Sequence, residues 1–176
     1  MDISDYYHLD QLEKNTEALH KAIEEDNTVL ALQLLSVSNP RLWHSQALWT
    51  AVTHNNIVMV DALIPFSDPS DPMCKAIEVA AQEGHEEIVG LLIPAVSDIG
   101  ILNKAFGNAL LRYNITCAQL LFDVCEPDRA LDSLLLSLPD PRGRDQVEHR
   151  FAELQRQRLV HNIDTECAFQ RKERKM

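Results

Sequence analysis

The most informative stretch of the chain is residues 80–92, which read Ala80-Ala81-Gln82-Glu83-Gly84-His85-Glu86-Glu87-Ile88-Val89-Gly90-Leu91-Leu92. Before the Gly84-His85 pair, Ile77, Ala80 and Ala81 stand at i, i+3 and i+4, and after it the apolar residues from Ile88 to Leu92 form a second helical stripe. Turn-forming residues separate the two stripes. The stretch therefore predicts a short helix, a tight turn and a second short helix.

The same pattern recurs along the chain with a period of 29 residues. A fixed period of this size is typical of proteins built from stacked repeats. Five apolar columns keep the register across four copies: Leu19, Leu48, Ile77 and Phe106; Ala22, Ala51, Ala80 and Ala109; Leu30, Met59, Ile88 and Cys117; Leu34, Leu63, Leu92 and Leu121; and Leu35, Ile64, Ile93 and Phe122.

Residues that favour turns and loops interrupt the helical pattern at two places in each repeat. The middle of the repeat carries Asn27, Asn56, His85 and Asn114, preceded by Asp26, Asn55, Gly84 and Tyr113. The end of the repeat carries Pro40, Pro69 and Pro127, with Asp98 in the remaining copy. Because no segment alternates with period two, each repeat is predicted to be all-α: two short helices, a turn and a loop.

These residues resemble the ankyrin-repeat family. Residues 80–92 fill every specified position of the pattern A-A-x-x-G-H-x-x-[IV]-V-x-x-L, and Leu19-His20-Lys21-Ala22 matches the family's L-H-x-A element. The resemblance covers about residues 17–130. It implies a solenoid of stacked antiparallel helix pairs that binds other proteins and has no chemistry of its own.

The chain also departs from that family. The usual ankyrin repeat has about 33 residues, so the 29-residue unit is about four shorter, and the missing residues fall where the projecting β-hairpin finger would be. Alanine replaces the proline that normally opens the first helix, at Ala18, Ala47, Ala76 and Ala105. We therefore expect short or missing fingers and loops rich in Pro and Asp.

The two ends predict helical caps, since solenoid repeats bury their faces only against neighbours. Residues 1–16 are expected to form an N-terminal capping helix, with Leu9 and Leu12 facing the stack and Asp10 and Lys14 paired outside. The repeats are expected at about 17–45, 46–74, 75–103 and 104–132, with a degenerate fifth beginning before 141. Residues 142–165 are expected to form a C-terminal capping helix, and 166–176 a charged tail.

The apolar stripe of that C-terminal helix begins with Val147, Phe151 and Leu154 and continues less regularly through Leu159, Val160 and Ile163. Its spacing predicts one face packed against the last repeat.

The charge is the unusual part of an otherwise average composition. The 176 residues carry a formal charge of −11. Nine Lys and Arg against six Asp and Glu give residues 142–176 a net +3, which leaves −14 on residues 1–141. The acidity belongs to the repeats, so a basic protein partner is expected and nucleic acid is not.

The sequence predicts a cytoplasmic protein that is monomeric when free. The acidic N-terminus does not resemble a secretory signal, and no apolar run approaches the ~18 residues of a membrane span.

No local catalytic, metal or cofactor motif is present in the sequence. His85-Glu86 begins like the H-E-x-x-H zinc motif, but Val89 replaces its second histidine. The cysteines, Cys74, Cys117, Cys125 and Cys167, show no C-x-x-C spacing and are expected to be buried or incidental thiols. We predict no enzyme activity and no cofactor; an enzyme that uses scattered Cys and His residues is the weakest alternative.

The ankyrin resemblance implies a partner-binding face. In such stacks the two positions before the mid-repeat turn lie on the concave side, here Glu24, Glu25, Thr53, His54, Gln82, Glu83, Leu111 and Arg112, with Lys21 one turn earlier. The groove is expected to be more acidic at its N-terminal end. Trp43, Trp49 and Tyr113 stand outside the family pattern, and aromatic residues dominate interface hot spots. Each is a candidate contact or, alternatively, fills a gap left by the degenerate repeat.

Two sharper versions of the binding function stay open. One is an immunity or inhibitor protein that neutralises a basic toxin or enzyme, which suits the small acidic chain. The other is a secreted bacterial effector or adaptor that binds a host protein. A neighbouring gene for a basic toxic domain, lethal unless this protein is present, would favour the first.

Overall fold

A computed structural model describes the backbone of residues 3–173 and the side chains of residues 9–160. Within that range the protein is all-α, as the sequence predicts, and contains no strand. Its helices are α1 (Ile3–Glu24), α2 (Thr28–Leu34), α3 (Leu42–Thr53), α4 (Ile57–Leu63), α5 (Ala76–Glu83), α6 (Glu86–Leu92), α7 (Ile99–Arg112), α8 (Ile115–Phe122), α9 (Pro127–Ser137) and α10 (Pro141–Glu173). One turn of 3-10 helix follows each of α2, α4 and α6.

The helices form pairs that stack in two rows. Each odd-numbered helix contacts the even-numbered helix that follows it, from α1 with α2 to α9 with α10. The first helices of the pairs, α1, α3, α5, α7 and α9, contact one another in sequence, and the second helices α2, α4, α6 and α8 form a parallel row. The last second helix, α10, contacts α7, α8 and α9 and closes one end of the stack.

The apolar columns of the repeat form the core between the two rows. Leu19, Leu48, Ile77 and Phe106 are all fully buried, and so is the alanine column to within 1%. Two columns are less regular at the N-terminal end: Leu30 is 41% exposed although Met59, Ile88 and Cys117 are at 0%, and Leu34 is only partly buried. No helix pair precedes α1 and α2 in the described structure, so nothing covers their outer side.

The mid-repeat turns follow the 29-residue register in backbone conformation. Asp26, Asn55, Gly84 and Tyr113 all have left-handed backbone, with φ of 55°, 52°, 80° and 65°. Three of the four are residues that tolerate this conformation better than most. Asn27 and Asn56 then cap the second helices, their side chains accepting hydrogen bonds from the amides of Leu30 and Met59 at 3.1 and 3.0 Å.

A second periodic hydrogen bond fixes the loops between pairs. Thr16 Oγ1 accepts from the Asn39 amide at 2.9 Å, and Ser45 Oγ accepts from the Asp68 amide at 2.8 Å. Asn103 Oδ1 accepts from the Glu126 amide at 2.8 Å. Donor and acceptor are 23 residues apart in each case. In the third copy the Ser97 amide donates to Ser70 Oγ instead, at 2.9 Å.

The N-terminal end differs from the expected separate cap. Residues 1–16 were expected to form their own helix, but α1 is one continuous helix of 22 residues that includes the first helix of the first repeat. Leu9, expected to face the stack, is 47% exposed, and Leu12 is partly buried. Lys14 and Asp10 pair as expected, at 2.7 Å.

The C-terminal helix is longer than its expected bounds of 142–165. It continues to Glu173, so residues 166–173, expected as part of a charged tail, have helical backbone. Val147, Phe151 and Leu154 are buried as expected, whereas Leu159 and Val160 are 63% and 59% exposed. Ile163 lies outside the residues whose side chains are described.

Candidate functional site

The predicted contact residues lie on the first helices or at their ends. The solvent-facing surface of α1, α3, α5, α7 and α9 is called the first-helix face below. In the 29-residue register its columns include Glu24, Thr53, Gln82 and Leu111 and, one turn earlier, Lys21, Val79 and Asn108; Thr50, the remaining residue of the second column, is buried. At the N-terminal end of this face two depressions flank the Trp43 side chain.

The first of these, the acidic depression, lies between α1 and α3. It is lined by Glu17, His20, Lys21, Glu24, Trp43 and Gln46. Glu17 and Glu24 are seven residues apart, so both lie on one face of α1 two turns apart. Lys21 lies between them, and its Nζ is 3.8 Å from a carboxylate oxygen of Glu25. Sequence-predicted Lys21, Glu24 and Trp43 thus come together here.

His20 forms the floor of the acidic depression. Its ring lies 5.4 Å from the Trp43 ring, centroid to centroid, and only 9% of the residue is exposed. Its Nε2 is shielded and has no hydrogen-bond partner among the described residues. Burial lowers the pKa of His20 from its ordinary value, and the nearby carboxylate of Glu24 opposes that shift only in part. His20 is therefore neutral near pH 7.

The second depression, the apolar depression, lies on the other side of Trp43. It is lined by Trp43, His44, Gln46, Trp49, Met73 and Cys74. Trp43, Trp49 and Met73 are 43%, 39% and 63% exposed. Two tryptophans and a methionine in one shallow hollow are unusual for a surface and typical of contact sites.

Trp43 is held out by an irregular backbone. Trp43, His44 and Ser45 all have left-handed dihedral angles, with φ of 52°, 58° and 56°. Such residues cost about 1–2 kcal/mol each. Ser45 is buried and anchors the segment by its bond to the Asp68 amide, and His44 Nδ1 lies 2.9 Å from Asp71 Oδ2. The Met73 amide and His44 together lower the pKa of the Asp71 carboxyl.

The predicted residues in the middle of the face engage mainly their own helix or neighbour. Thr53 Oγ1 donates to the Thr50 carbonyl at 2.8 Å, and His54 Nδ1 lies 2.9 Å from the same oxygen. Gln82 Nε2 donates to Glu83 Oε1 at 3.0 Å. These residues lie along the face but line neither depression.

The predicted residues near the C-terminal end are separated from the tryptophans. Leu111 and Arg112 are exposed at the end of α7. Tyr113 packs under Arg150 of α10, with the guanidinium carbon 5.1 Å from the ring centroid, and lines a shallow groove with Asp145, Gln146, His149 and Glu153. Tyr113 therefore belongs to the junction with α10 rather than to the Trp43 cluster.

A further groove runs along α7 and α9 and carries both signs of charge. Glu78, Asp98, Lys104 and Arg129 are among its lining residues. The charge lining this groove is mixed, whereas the acidic depression beside α1 is lined by two carboxylates and one ammonium.

Four residues that line the depressions were not predicted as contact residues from the sequence: Glu17, His44, Gln46 and Met73. His20 was noted only as part of the L-H-x-A element. Glu17 and Gln46 share one 29-residue column two turns before the predicted Glu24 and Thr53. Residues seven positions apart lie on the same side of a helix, so counting back seven positions from Glu24 and Thr53 would have identified both.

The described residues offer neither a metal site nor an activated cysteine thiol. They contain no group of three or more His, Cys, Asp or Glu side chains placed to hold a metal ion. Burial raises the pKa of Cys74 and Cys117 to about 11 and that of Cys125 to about 12. Among the described helices, none is long and apolar enough to cross a membrane. Cys167 lies outside the residues whose side chains are described.

Comparisons with known proteins add no relative. No family model matches the chain, and neither the curated proteins nor the solved structures contain a match.

Proposed function

We propose that this chain is a divergent ankyrin-like solenoid that acts as a non-enzymatic protein-binding module and grips a basic partner protein with its first-helix face. The architecture that supports it is the two rows of helix pairs in 29-residue register with left-handed mid-repeat turns. Loops without strands between the pairs, within the described range, agree with the short-finger form of that repeat.

The observation that carries the proposal is the pair of depressions around Trp43. An exposed tryptophan beside carboxylates suits contact with a basic protein surface. The tryptophan contributes buried apolar contact area, and the carboxylates contribute complementary charge. Residues 1–141 carry a net charge of −14, which steers a basic partner toward the repeats at low salt.

The test compares two variants with the same change in charge. Glu24→Lys/Glu83→Lys reverses charge at the ends of α1 and α5, on the first-helix side. Asp61→Lys/Glu148→Lys reverses it on α4 and α10, and all four side chains are exposed. Proteins that the wild-type chain captures from a lysate of its source organism are identified by mass spectrometry. Each is then purified, and its affinity for the wild-type chain and for both variants is measured by calorimetry.

We expect at least one purified partner to be basic. The Glu24/Glu83 variant should no longer bind it, and the Asp61/Glu148 variant should bind it as the wild-type chain does. Equal binding by both variants, or binding lost only in the Asp61/Glu148 variant, would exclude the first-helix face. Circular dichroism of each variant confirms that the helices remain.

A further inference from the structure

The acidic depression has the composition of a receptor for one side chain. Its wall is the half-exposed indole of Trp43, and its rim carries the carboxylates of Glu17 and Glu24. An aromatic face combined with carboxylates favours a cation, since the ring quadrupole and the charges attract the same group.

The floor of the depression does not repel a cation. Burial keeps His20 neutral near pH 7, because its pKa is lowered. Lys21 is the one basic side chain among the described residues of the rim, and its ammonium is directed to Glu25 at 3.8 Å. Gln46, from α3, completes the lining and is uncharged. Glu17 and Glu24 therefore set the sign of the site.

The depression also has an unused polar atom. Nε2 of His20 is buried without a hydrogen-bond partner among the described residues, and buried polar atoms of folded proteins are paired in the great majority of cases. In the neutral ring that carries its proton on Nδ1, Nε2 is an acceptor. The atom is shielded beside the Trp43 ring, so a donor that enters between the two rings with a small displacement of the Trp43 side chain would satisfy it.

The backbone that carries the wall of the depression is held in place before any partner arrives. The left-handed segment Trp43–Ser45 is tied to the next loop at two points, by Ser45 to the Asp68 amide and by His44 to Asp71. An anchored backbone at this position reduces the entropy lost on binding.

We infer that the acidic depression binds the guanidinium of an arginine in a basic segment of the partner protein, stacked on Trp43, paired with Glu17 and Glu24 and donating to Nε2 of His20. This inference rests on the proposed function and names the chemistry of its anchor. Arginine fits better than lysine because its planar group stacks on an aromatic ring, presents several donors in a fixed fork and is more weakly hydrated. The adjoining apolar depression, with Trp49 and Met73, would take a neighbouring apolar side chain of the same segment.

The test uses two small probes, Nα-acetyl-arginine N-methylamide and its lysine counterpart, titrated into the ¹⁵N-labelled full chain and followed by NMR. We expect the arginine probe to shift the Trp43 indole N–H and the amides of residues 17–24, and to bind about fivefold tighter than the lysine probe. Shifts spread evenly over the acidic surface, or equal affinity for the two probes, would overturn the inference.

Four variants locate the effect. Glu17→Gln/Glu24→Gln should lose the localised shifts, and Trp43→Leu should lose the preference for arginine. Glu86→Gln/Glu148→Gln removes the same charge from the second-helix side and should keep both. Retention in the Glu17/Glu24 variant contradicts the inference. Helical circular dichroism checks each fold, and Trp43→Phe, which keeps an aromatic face, should retain part of the preference.

Failure of this inference differs from failure of the proposed function. If the arginine probe does not bind at Trp43 but the partner is lost with Glu24→Lys/Glu83→Lys, the face binds and the anchor is wrong. If the probe binds at Trp43 but the partner binds equally to both charge-reversal variants, the first-helix face is not the one that the partner uses, and the anchor falls with it.

Discussion

Arg150 of α10 donates hydrogen bonds to carbonyls in the last turn of α7, just as Asn114 donates to the equivalent carbonyls of α5. The Asn114 side-chain amide donates to the carbonyls of Ala81 and Gln82 at 2.9 and 2.7 Å. Arg150 Nη1 donates to the carbonyls of Leu110 and Leu111 at 2.9 and 2.6 Å. These two pairs of acceptors are equivalent positions of the 29-residue repeat.

The last carbonyls of a helix have no partner within it, so something outside must supply donors. The turn of the following repeat does this for α5. The next helix pair, α9 and α10, has no asparagine in the turn between its helices, so Arg150 of α10 donates to the carbonyls of α7 instead. Arg150 therefore gives α10 the same role at the end of α7 that Asn114 has at the end of α5.

Replacement of this arginine should loosen the cap. Arg150→Met leaves two carbonyls short of a donor and removes the cation above Tyr113, and because Arg150 is half-exposed we expect a loss of only about 1–2 kcal/mol in the free energy of unfolding. Urea denaturation followed by circular dichroism measures it. The control is Arg156→Met: Arg156 is exposed and donates to Ala152 of its own helix, so its loss should change little. Equal effects of the two would contradict this role for Arg150.

Asn56 and Asn27 should respond differently to conversion to aspartate. Asn56 Nδ2 donates to Asp26 Oδ1 at 3.0 Å and to Thr28 Oγ1 at 3.0 Å. Asn56→Asp removes these donors and faces one carboxylate with another, so we expect a loss of about 1–2 kcal/mol at pH 7. Asn27 accepts from the Leu30 amide, and Asn27→Asp keeps that bond with a charge suited to a helix N-terminus, for a change within about 0.5 kcal/mol.

The pH dependence separates these effects. Asn56→Asp places a new carboxylate opposite that of Asp26, and protonation relieves the repulsion between them, so the deficit of that variant should shrink as the pH falls below about 4. A deficit that is unchanged at pH 3 would show that the lost donors alone account for it. Thermal unfolding of both variants at pH 7 and pH 3 provides the comparison.

Two glycines offer a matched test of the turn. Gly84 has φ of +80°, and a Cβ there would meet Asn114 Oδ1 at 3.0 Å. Gly84→Ala should cost about 2 kcal/mol from left-handed strain and displacement of Asn114. Gly90 lies exposed within α6 with nothing within 4 Å of an added Cβ, and Gly90→Ala should gain about 0.5–1 kcal/mol. The midpoints of urea unfolding should therefore move in opposite directions; a tolerated Gly84→Ala would refute the tight turn.

The thiols of Cys74, Cys117 and Cys125 should be unreactive in the folded chain. Their pKa values rise from 9.0 to about 11, about 11 and about 12, with burial as the main cause, so the thiolate is scarce near pH 8. In a Cys167→Ser background, a thiol reagent at pH 8 should label none of them rapidly, and three in urea. Rapid labelling of the folded chain would contradict their burial.

The same shifts predict loss of stability at alkaline pH. The folded state favours the neutral thiol, so this contribution is complete below pH 9, the ordinary pKa, and is lost as the pH rises toward 11–12. Replacing the most exposed of the three, Cys125→Ala, should reduce that alkaline loss in unfolding experiments between pH 8 and pH 11.

The sequence by itself determined the helices, the turns and most of the core. Helical periodicity and turn chemistry are local properties, so columns such as Leu19, Leu48, Ile77 and Phe106 could be assigned to the core before any contact was known. The loop-fixing bonds were also within reach, since Thr16, Ser45 and Asn103 keep the 29-residue register as their partners do.

The tertiary structure alone decided where the register fails and where the site forms. Leu30 is exposed because no helix pair covers it in the described part of the chain, and its sequence column gives no sign of that. Trp43 meets His20 across two helices, and Arg150 meets α7 forty residues upstream of its own position. These contacts depend on how the pairs stack at the ends and on the left-handed segment that turns Trp43 outward, and neither is encoded in the spacing of the repeat.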